Sequence, residues 1–414
     1  MKLFLIFLGL LILVLPLEAQ EEPLLDWDID SVFDAPAEEA PIGDKKEDPP
    51  EVSGASLVRQ RGITFETTFE FLGGFAPGWE EAPWFSGQDG KFAWSPSAKM
   101  TSNFSLDARI SEVFRVNAVV YFEIPNFAFQ LRTFFADYSL YDVIFFRAGK
   151  YEQTWGISPN FKFTDLLSRV PANRYAGDSF ILKADIPVGI GGFQFLALTR
   201  ADLMNGAEPD RKDLGYGGKF NLALRLADFD LGVFYQDGMA LRSFLSVKTT
   251  IGNTELYNEW LGVLDTERQG DLSGAVNLGF IHTFFSDKLR VNGEVYYNAE
   301  KNAYWYQPET SIKDAEVSPL VDGWNLALNL LYRFGGKGDL RFFVIALYAP
   351  GQDSARLVPG IRLAPFPHTE LFFAVPMALG SRDGYYYNNT PDLKNRPFSV
   401  MVLLTLKGSA RVGY

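Results

Sequence analysis

From Gly62 to the C-terminus the chain alternates apolar and polar residues with a period of two, the spacing of strands whose two faces meet different surroundings. In Ile63-Thr64-Phe65-Glu66-Thr67-Thr68-Phe69-Glu70-Phe71 the odd positions are mostly apolar and the even ones polar. Phe114, Val116, Ala118, Val120 and Phe122 alternate in the same way with Arg115, Asn117, Tyr121 and Glu123. Eighteen such segments can be traced: 62–72, 99–110, 114–123, 128–138, 142–151, 179–187, 191–200, 215–226, 229–236, 241–250, 254–263, 272–284, 288–298, 321–334, 339–349, 355–364, 369–378 and 397–407. Most have the roughly 9–11 residues that a tilted strand needs to cross a bilayer. Segment 254–263 is the weakest, and 142–151 is ambiguous in which face is which; sixteen strands is the alternative count.

The connections sort by parity. Those after the even-numbered strands are short: 111–113, 139–141, 188–190, 227–228, 251–253, 285–287, 335–338 and 365–368. Ile251-Gly252-Asn253 and Gly335-Gly336-Lys337-Gly338 carry tight-turn chemistry. The long connections, 73–98, 152–178, 201–214, 299–320 and 379–396, all fall on the other parity. A soluble sandwich gives no reason for such sorting, and a propeller would repeat about every forty residues. The pattern predicts an all-β protein, a closed antiparallel transmembrane β-barrel over 61–414. An even strand count puts both chain ends on the short-turn side, which is the periplasmic side in barrels of the bacterial outer membrane.

Composition supports this picture. Aromatics make up 15% of the 414 residues, with 37 Phe, 18 Tyr and 8 Trp. Tyr151, Tyr216, Tyr235, Tyr297, Trp324 and Tyr348 fall near strand ends, as interfacial girdles require. Mean hydropathy is -0.03, too polar for a bundle of membrane helices. Residues 1–19 read as a signal peptide: Lys2, then the apolar run Phe4–Leu15, then Leu17-Glu18-Ala19 as a cleavage site. Residues 20–60 form an acidic, Pro-rich periplasmic segment. Within it, 20–56 holds twelve acids and two lysines, a net of −10 out of the chain's -13. The acidity therefore belongs to this segment, and no basic nucleic-acid footprint exists. Leu24, Leu25, Trp27, Ile29, Val32 and Phe33 set an apolar patch among the acids; this stretch is either a solvated linker or a segment that docks on a partner or plugs the lumen.

The polar faces of the strands carry the charge. Parity assigns Arg109, Arg115, Arg132, Arg147, Lys219, Arg225, Arg242, Lys248, Arg290, Arg333, Arg341 and Arg362 to the lumen. The acids assigned there are Glu66, Glu70, Asp107, Glu123, Asp230, Glu255, Glu259, Glu294 and Glu370. Charges at bilayer depth persist where they face water or a partner, so the interior is expected to be hydrated. Each charge has a structural reading as a cross-strand salt bridge and a functional one as part of a pore-lining field.

Arg147-Ala148-Gly149-Lys150-Tyr151-Glu152-Gln153-Thr154-Trp155-Gly156, followed by Asp165-Leu166-Leu167, resembles the Arg-x-Gly-Arg/Lys … Trp-Gly … Asp signature of porin-like barrels of the alginate-export type. The likeness spans about twenty residues. The position after the basic residue holds Tyr151, where that family commonly has Gln. The resemblance implies a passive channel for anionic or sugar-like solutes, with Lys150, Trp155, Gly156 and Asp165 in pore-loop roles.

Nothing points to catalysis. The two histidines, His282 and His368, lie at a strand end facing lipid and in a turn, and no GxSxG, HExxH or Walker motif occurs. There is no Cys, hence no disulfide, thiolate metal site or lipoprotein anchor. No cofactor or metal is expected. The expected partners are outer-membrane lipid, the barrel-assembly machinery and small solutes, with no nucleic acid; the oligomeric state stays open. The leading function is passive diffusion of small hydrophilic solutes. Two alternatives are transport of hydrophobic compounds, since Phe343, Ile345, Leu347, Met401 and Leu403 share inward parity, and adhesion through long outer loops such as 380–396.

Overall fold

The structure, a computed structural model, describes residues 62–79, 92–125, 127–161, 179–199, 203, 208–237, 240–264, 272–286, 288–299, 323–334, 340–381, 384 and 400–413. The segments read as signal peptide and acidic linker lie outside these residues, as does Asp165. The first ten strands are β1 (Gly62–Trp79), β2 (Phe92–Arg109), β3 (Phe114–Ile124), β4 (Ala128–Leu140), β5 (Ile144–Lys150), β6 (Phe180–Val188), β7 (Gly191–Thr199), β8 (Leu214–Ala223), β9 (Asp228–Gln236) and β10 (Leu241–Ile251). They continue with β11 (Thr254–Leu264), β12 (Leu272–Phe284), β13 (Leu289–Asn298), β14 (Gly323–Phe334), β15 (Leu340–Ala349), β16 (Ser354–Phe366), β17 (Thr369–Ala374), β18 (Met377–Gly380) and β19 (Met401–Gly413).

Every pairing is antiparallel; strands pair with their neighbours in sequence, apart from the extra β16–β18 and β17–β19 pairings and the closing one, in which β1 pairs with β19 from Thr64↔Gly413 to Phe75↔Val402. The sheet is therefore a closed barrel. β17 and β18 both pair with β16 and occupy one place in the wall, so nineteen segments make eighteen staves. The break between them falls at Val375-Pro376: Pro376 has no N–H to give the ladder, and Val375 N–H donates to Pro359 O at 3.0 Å. This settles the count at eighteen rather than sixteen.

Beyond shifts of one or two residues, the strands depart from the sequence reading in three further places. The first hairpin is longer, because β1 and β2 stay paired out to Trp79↔Phe92. β19 runs to Gly413 instead of stopping near Lys407. β8 ends at Ala223, so Arg225 sits exposed in the turn before β9 rather than on the lumen wall. Alternation continues through Leu224 and Leu226, which drew that strand too long; both are exposed in the turn.

The two faces separate cleanly. Phe65, Phe69, Leu182, Phe195, Leu231, Trp260, Leu278, Trp324 and Val402 are exposed large apolar side chains on the outward parity. Inward positions include Glu259, Asn277, Asn325 and Asn329, all fully buried. Tyr216, Tyr235, Tyr297, Trp324 and Tyr348 are exposed outward near strand ends. Tyr151 is the exception among the expected girdle residues: it is buried and packs edge-on against Phe135 at 5.7 Å, inside the barrel.

Candidate functional site: a loop folded across the lumen

After Lys150 the chain leaves the wall, and residues 151–161 run across the barrel. Two glycines permit this. Gly149 has φ +144°, with a Cβ excluded by the Phe134–Phe135 backbone, and Gly156 has φ +99°; both values are strained for a side chain. Trp155 then anchors the loop. It is 2% exposed, its Nε1–H donates to Gln194 Oε1 at 2.7 Å, and its ring leans on Phe244 at 5.7 Å. Gly217 on β8 leaves the space its ring fills, since a Cβ there would lie 2.8 Å from Trp155 Cη2. Beyond it, Phe161 stacks on Tyr296 of β13 at 5.2 Å.

The far end of the loop docks on two carboxylates of the opposite wall. Glu259 of β11 accepts from the Ile157 N–H at 2.8 Å, from Ser246 Oγ at 3.0 Å and from Ser158 Oγ. Glu294 of β13 accepts from the Asn160 N–H at 3.0 Å, Asn160 Nδ2 at 2.7 Å, the Phe161 N–H at 3.2 Å and Asn277 Nδ2 at 3.0 Å. Asn329 Nδ2 on β14 donates to Asn160 Oδ1 at 2.6 Å. A chain segment that starts on β5 and binds β7, β11, β12, β13 and β14 spans the interior. Removing a carboxylate from water costs several kcal/mol unless donors replace the lost hydration; here the loop's own backbone N–H groups supply part of that replacement.

The rest of the lumen wall carries paired charge. Arg115 on β3 bonds Asp107 of β2 and lies 3.8 Å from Asp137 of β4. Arg147 of β5 bonds Asp137 through two nitrogens, at 2.7 and 3.1 Å, and lies over the Phe135 ring at 4.2 Å. Around the barrel follow Lys183–Asp185 at 2.9 Å, Lys219–Asp230 at 3.4 Å, Lys248–Glu255 at 3.0 Å and Arg362–Glu370 at 2.6 Å. Such half-exposed pairs contribute about 0–1 kcal/mol each, so their main effect is to fix where each charge stands along the lumen.

Of the other residues singled out from sequence, Arg132 sits at a bulge in the β3–β4 pairing, with its guanidinium 3.8 Å from the Tyr121 ring centroid. Glu123 accepts from Tyr121 Oη and meets Lys99 at 3.0 Å. Glu70 lies 3.7 Å from Lys407, and Glu66 is in register with Arg411. Arg109 pairs in register with Arg115, and Arg242 is buried with its guanidinium 5.1 Å from the Phe234 ring centroid. Arg290, Arg333 and Arg341 share inward parity near the short-turn end of β13, β14 and β15. Lys150 differs from expectation. It is in register with Phe134 and Phe180, in the row beside exposed Leu182, and so takes the outward parity at the long-loop rim. His282 faces outward, with its Nδ1 2.6 Å from Thr254 Oγ1.

The loop's docking residues, Ser158, Asn160 and Phe161, were missed by sequence reasoning. The available signal was on the receiving side, where Ser246, Glu259, Asn277, Tyr296 and Asn325 form one unbroken inward row across five strands.

No protein-family profile and no curated protein matches the chain. Solved structures do. Pseudomonas aeruginosa OccK11 (OpdR) superposes with a TM-score of 0.56 at 9% identity, over 85% of this chain and 99% of that one. OccK5 (OpdH) of the same organism gives 0.52 at 9% identity, over 84% and 98%. OccK2 (OpdF), solved in complex with glucuronate, gives 0.54 at 10% identity, over 84% and 98%. At this identity the likeness is one of fold, a porin-like barrel of eighteen staves; the narrower alginate-export resemblance rests on the short segment from Arg147 alone.

Proposed function

We propose that the chain is an outer-membrane channel through which small hydrophilic solutes diffuse passively, narrowed by the loop 151–161. The observation that carries this is the loop itself: a closed barrel with a polar, charge-bearing interior is crossed by a segment clamped to the far wall. A wall of fixed, paired charges lets ions and polar solutes enter without binding any of them tightly. Arginines outnumber other lumen cations, and planar guanidinium forks suit carboxylates, which favours anionic or sugar-like solutes. The fold shared with the Occ proteins supports an outer-membrane setting, with the short turns on the periplasmic side. Purified protein in planar lipid bilayers is expected to give stepwise conductance, with a reversal potential displaced toward anions. A membrane that stays sealed in every salt overturns the reading.

A further inference from the structure

The two halves of the lumen wall differ in exposure. On β9–β16 the inward side chains Phe234, Glu259, Asn277, Tyr296, Phe343 and Val358 are shut off from water. Trp155 and Phe161 of the crossing loop belong to the apolar cluster that fills part of this side. Inward positions of β1–β4 carry a different chemistry: Thr68, Thr101, Asn103, Ser105, Asn117 and Thr133 are hydroxyls and amides, and all are half-buried. β3 and β4 stand nine staves from β12 and β13 in the ring of eighteen, on the wall opposite the loop's anchorage. Among the described residues, the polar wall that water still reaches at mid-barrel is therefore concentrated on the side the loop leaves.

A bulge places Arg132 on that wall. Val119 pairs with Thr133 and Val120 with Leu131, so Arg132 is the extra residue between them. A bulged residue escapes strict alternation, and its side chain can be re-aimed. The Arg132 side chain is exposed, with its guanidinium 3.8 Å from the centroid of the buried, inward Tyr121 ring. Tyr121 is held in turn: its Oη donates to Glu123, which meets Lys99 at 3.0 Å. Stacking on a ring covers one face of a guanidinium and leaves its N–H edge for a planar carboxylate. Among the described residues no carboxylate lies within ion-pair distance of Arg132, whereas Arg115 and Arg147 share Asp107 and Asp137. The arginine row of Arg290, Arg333 and Arg341 is at the short-turn end; Arg132 lies toward Ala128, the long-loop end of β4. We propose that solutes pass the crossing loop along the β1–β4 wall, and that Arg132 is a recognition site on this route for hydroxylated carboxylates. The carboxylate meets the guanidinium edge, and the hydroxyls meet the Thr and Asn side chains beside it. This rests on the channel reading and adds to it a route and a residue.

The chain has no cysteine, so single introduced thiols report the route. In planar bilayers a charged methanethiosulfonate reagent is expected to cut the conductance of Asn117→Cys and Thr133→Cys by at least about half, through added bulk and charge in the path. Val263→Cys and Asn325→Cys, on the buried side, should not respond. Gluconate added at the long-loop side is expected to block the chloride current, and Arg132→Gln to weaken that block at least about fivefold. Arg132→Lys should keep the anion preference in KCl but recover only part of the block, because an ammonium lacks the planar fork. Equal block in wild type and Arg132→Gln, or closure from Val263 and Asn325 as complete as from the other two sites, overturns the proposal. If no form of the protein conducts, the channel reading fails on its own. Calorimetric titration of the full chain with gluconate then decides this one: binding that Arg132→Gln loses supports the site, and binding that is absent or unchanged overturns it.

Discussion

A carboxylate shut away from water is stable only among donors that replace its hydration, and removing its charge leaves those donors facing nothing. Glu294 has four such donors, two of them backbone N–H groups of the crossing loop. A glutamine in its place keeps one carbonyl oxygen and turns an NH2 toward the same N–H groups. Glu294→Gln is therefore expected to weaken the loop's attachment by about 2–4 kcal/mol. In single-channel recordings this should show as larger mean conductance with added flicker, while the barrel still resists unfolding in detergent. Unchanged conductance would mean that the loop does not narrow the path. Residue-scale errors in the sequence reading have the same physical origin. Arg225 was placed by parity, which fails where a strand stops early, and Lys150 was placed by the family resemblance, whereas it is still on the wall with outward parity, one residue after Gly149 and before the chain turns inward.

Elements were legible because the membrane imposes a rule on each strand separately: one face in oil, one in water, about ten residues at a time. That rule is local, so eighteen staves, their order and most of their limits follow from it. The loop's attachment is not local. Ser158 lies 101 residues from Glu259, and Asn160 134 residues from Glu294. Only the register of the closed sheet brings them together. The closing seam between β1 and β19 depends on another fit that alternation does not show. Gly408 of β19 faces Phe69 of β1, and a Cβ at that position would collide with the ring. Glycine there lets the ring lie flat over the seam, an arrangement known to protect exposed glycine backbone. Gly408→Val should destabilise the folded barrel by about 1–3 kcal/mol through overpacking, read as a lower urea midpoint in lipid vesicles. Adding Phe69→Ala should recover part of the loss. If the two substitutions are simply additive, the ring and the glycine are not coupled.

The barrel holds together without cysteine because, among the described residues, the wall has no free edge: every described strand pairs on both sides, and β1 with β19 completes the ring. Backbone groups in hydrocarbon must find partners inside the protein, and a closed ladder gives nearly all of them one. The same closure ties each connection to one end of the barrel, so the distribution of loop lengths becomes a statement about orientation. Turns such as 224–227 and 252–253 are tight and lie at the end of the barrel where β1 starts and β19 stops, whereas the connection that includes Glu208 is long and lies at the opposite end. A chain free of cysteine makes this testable with single introduced thiols. Glu208→Cys and Arg225→Cys both place the thiol at an exposed position outside the strands. With a membrane-impermeant maleimide on intact cells, the first is expected to react and the second to stay silent until the outer membrane is permeabilised. Labelling of the Arg225 site in intact cells would reverse the orientation. It would place the arginine row at the outer mouth, where it would meet solutes before the crossing loop instead of after it.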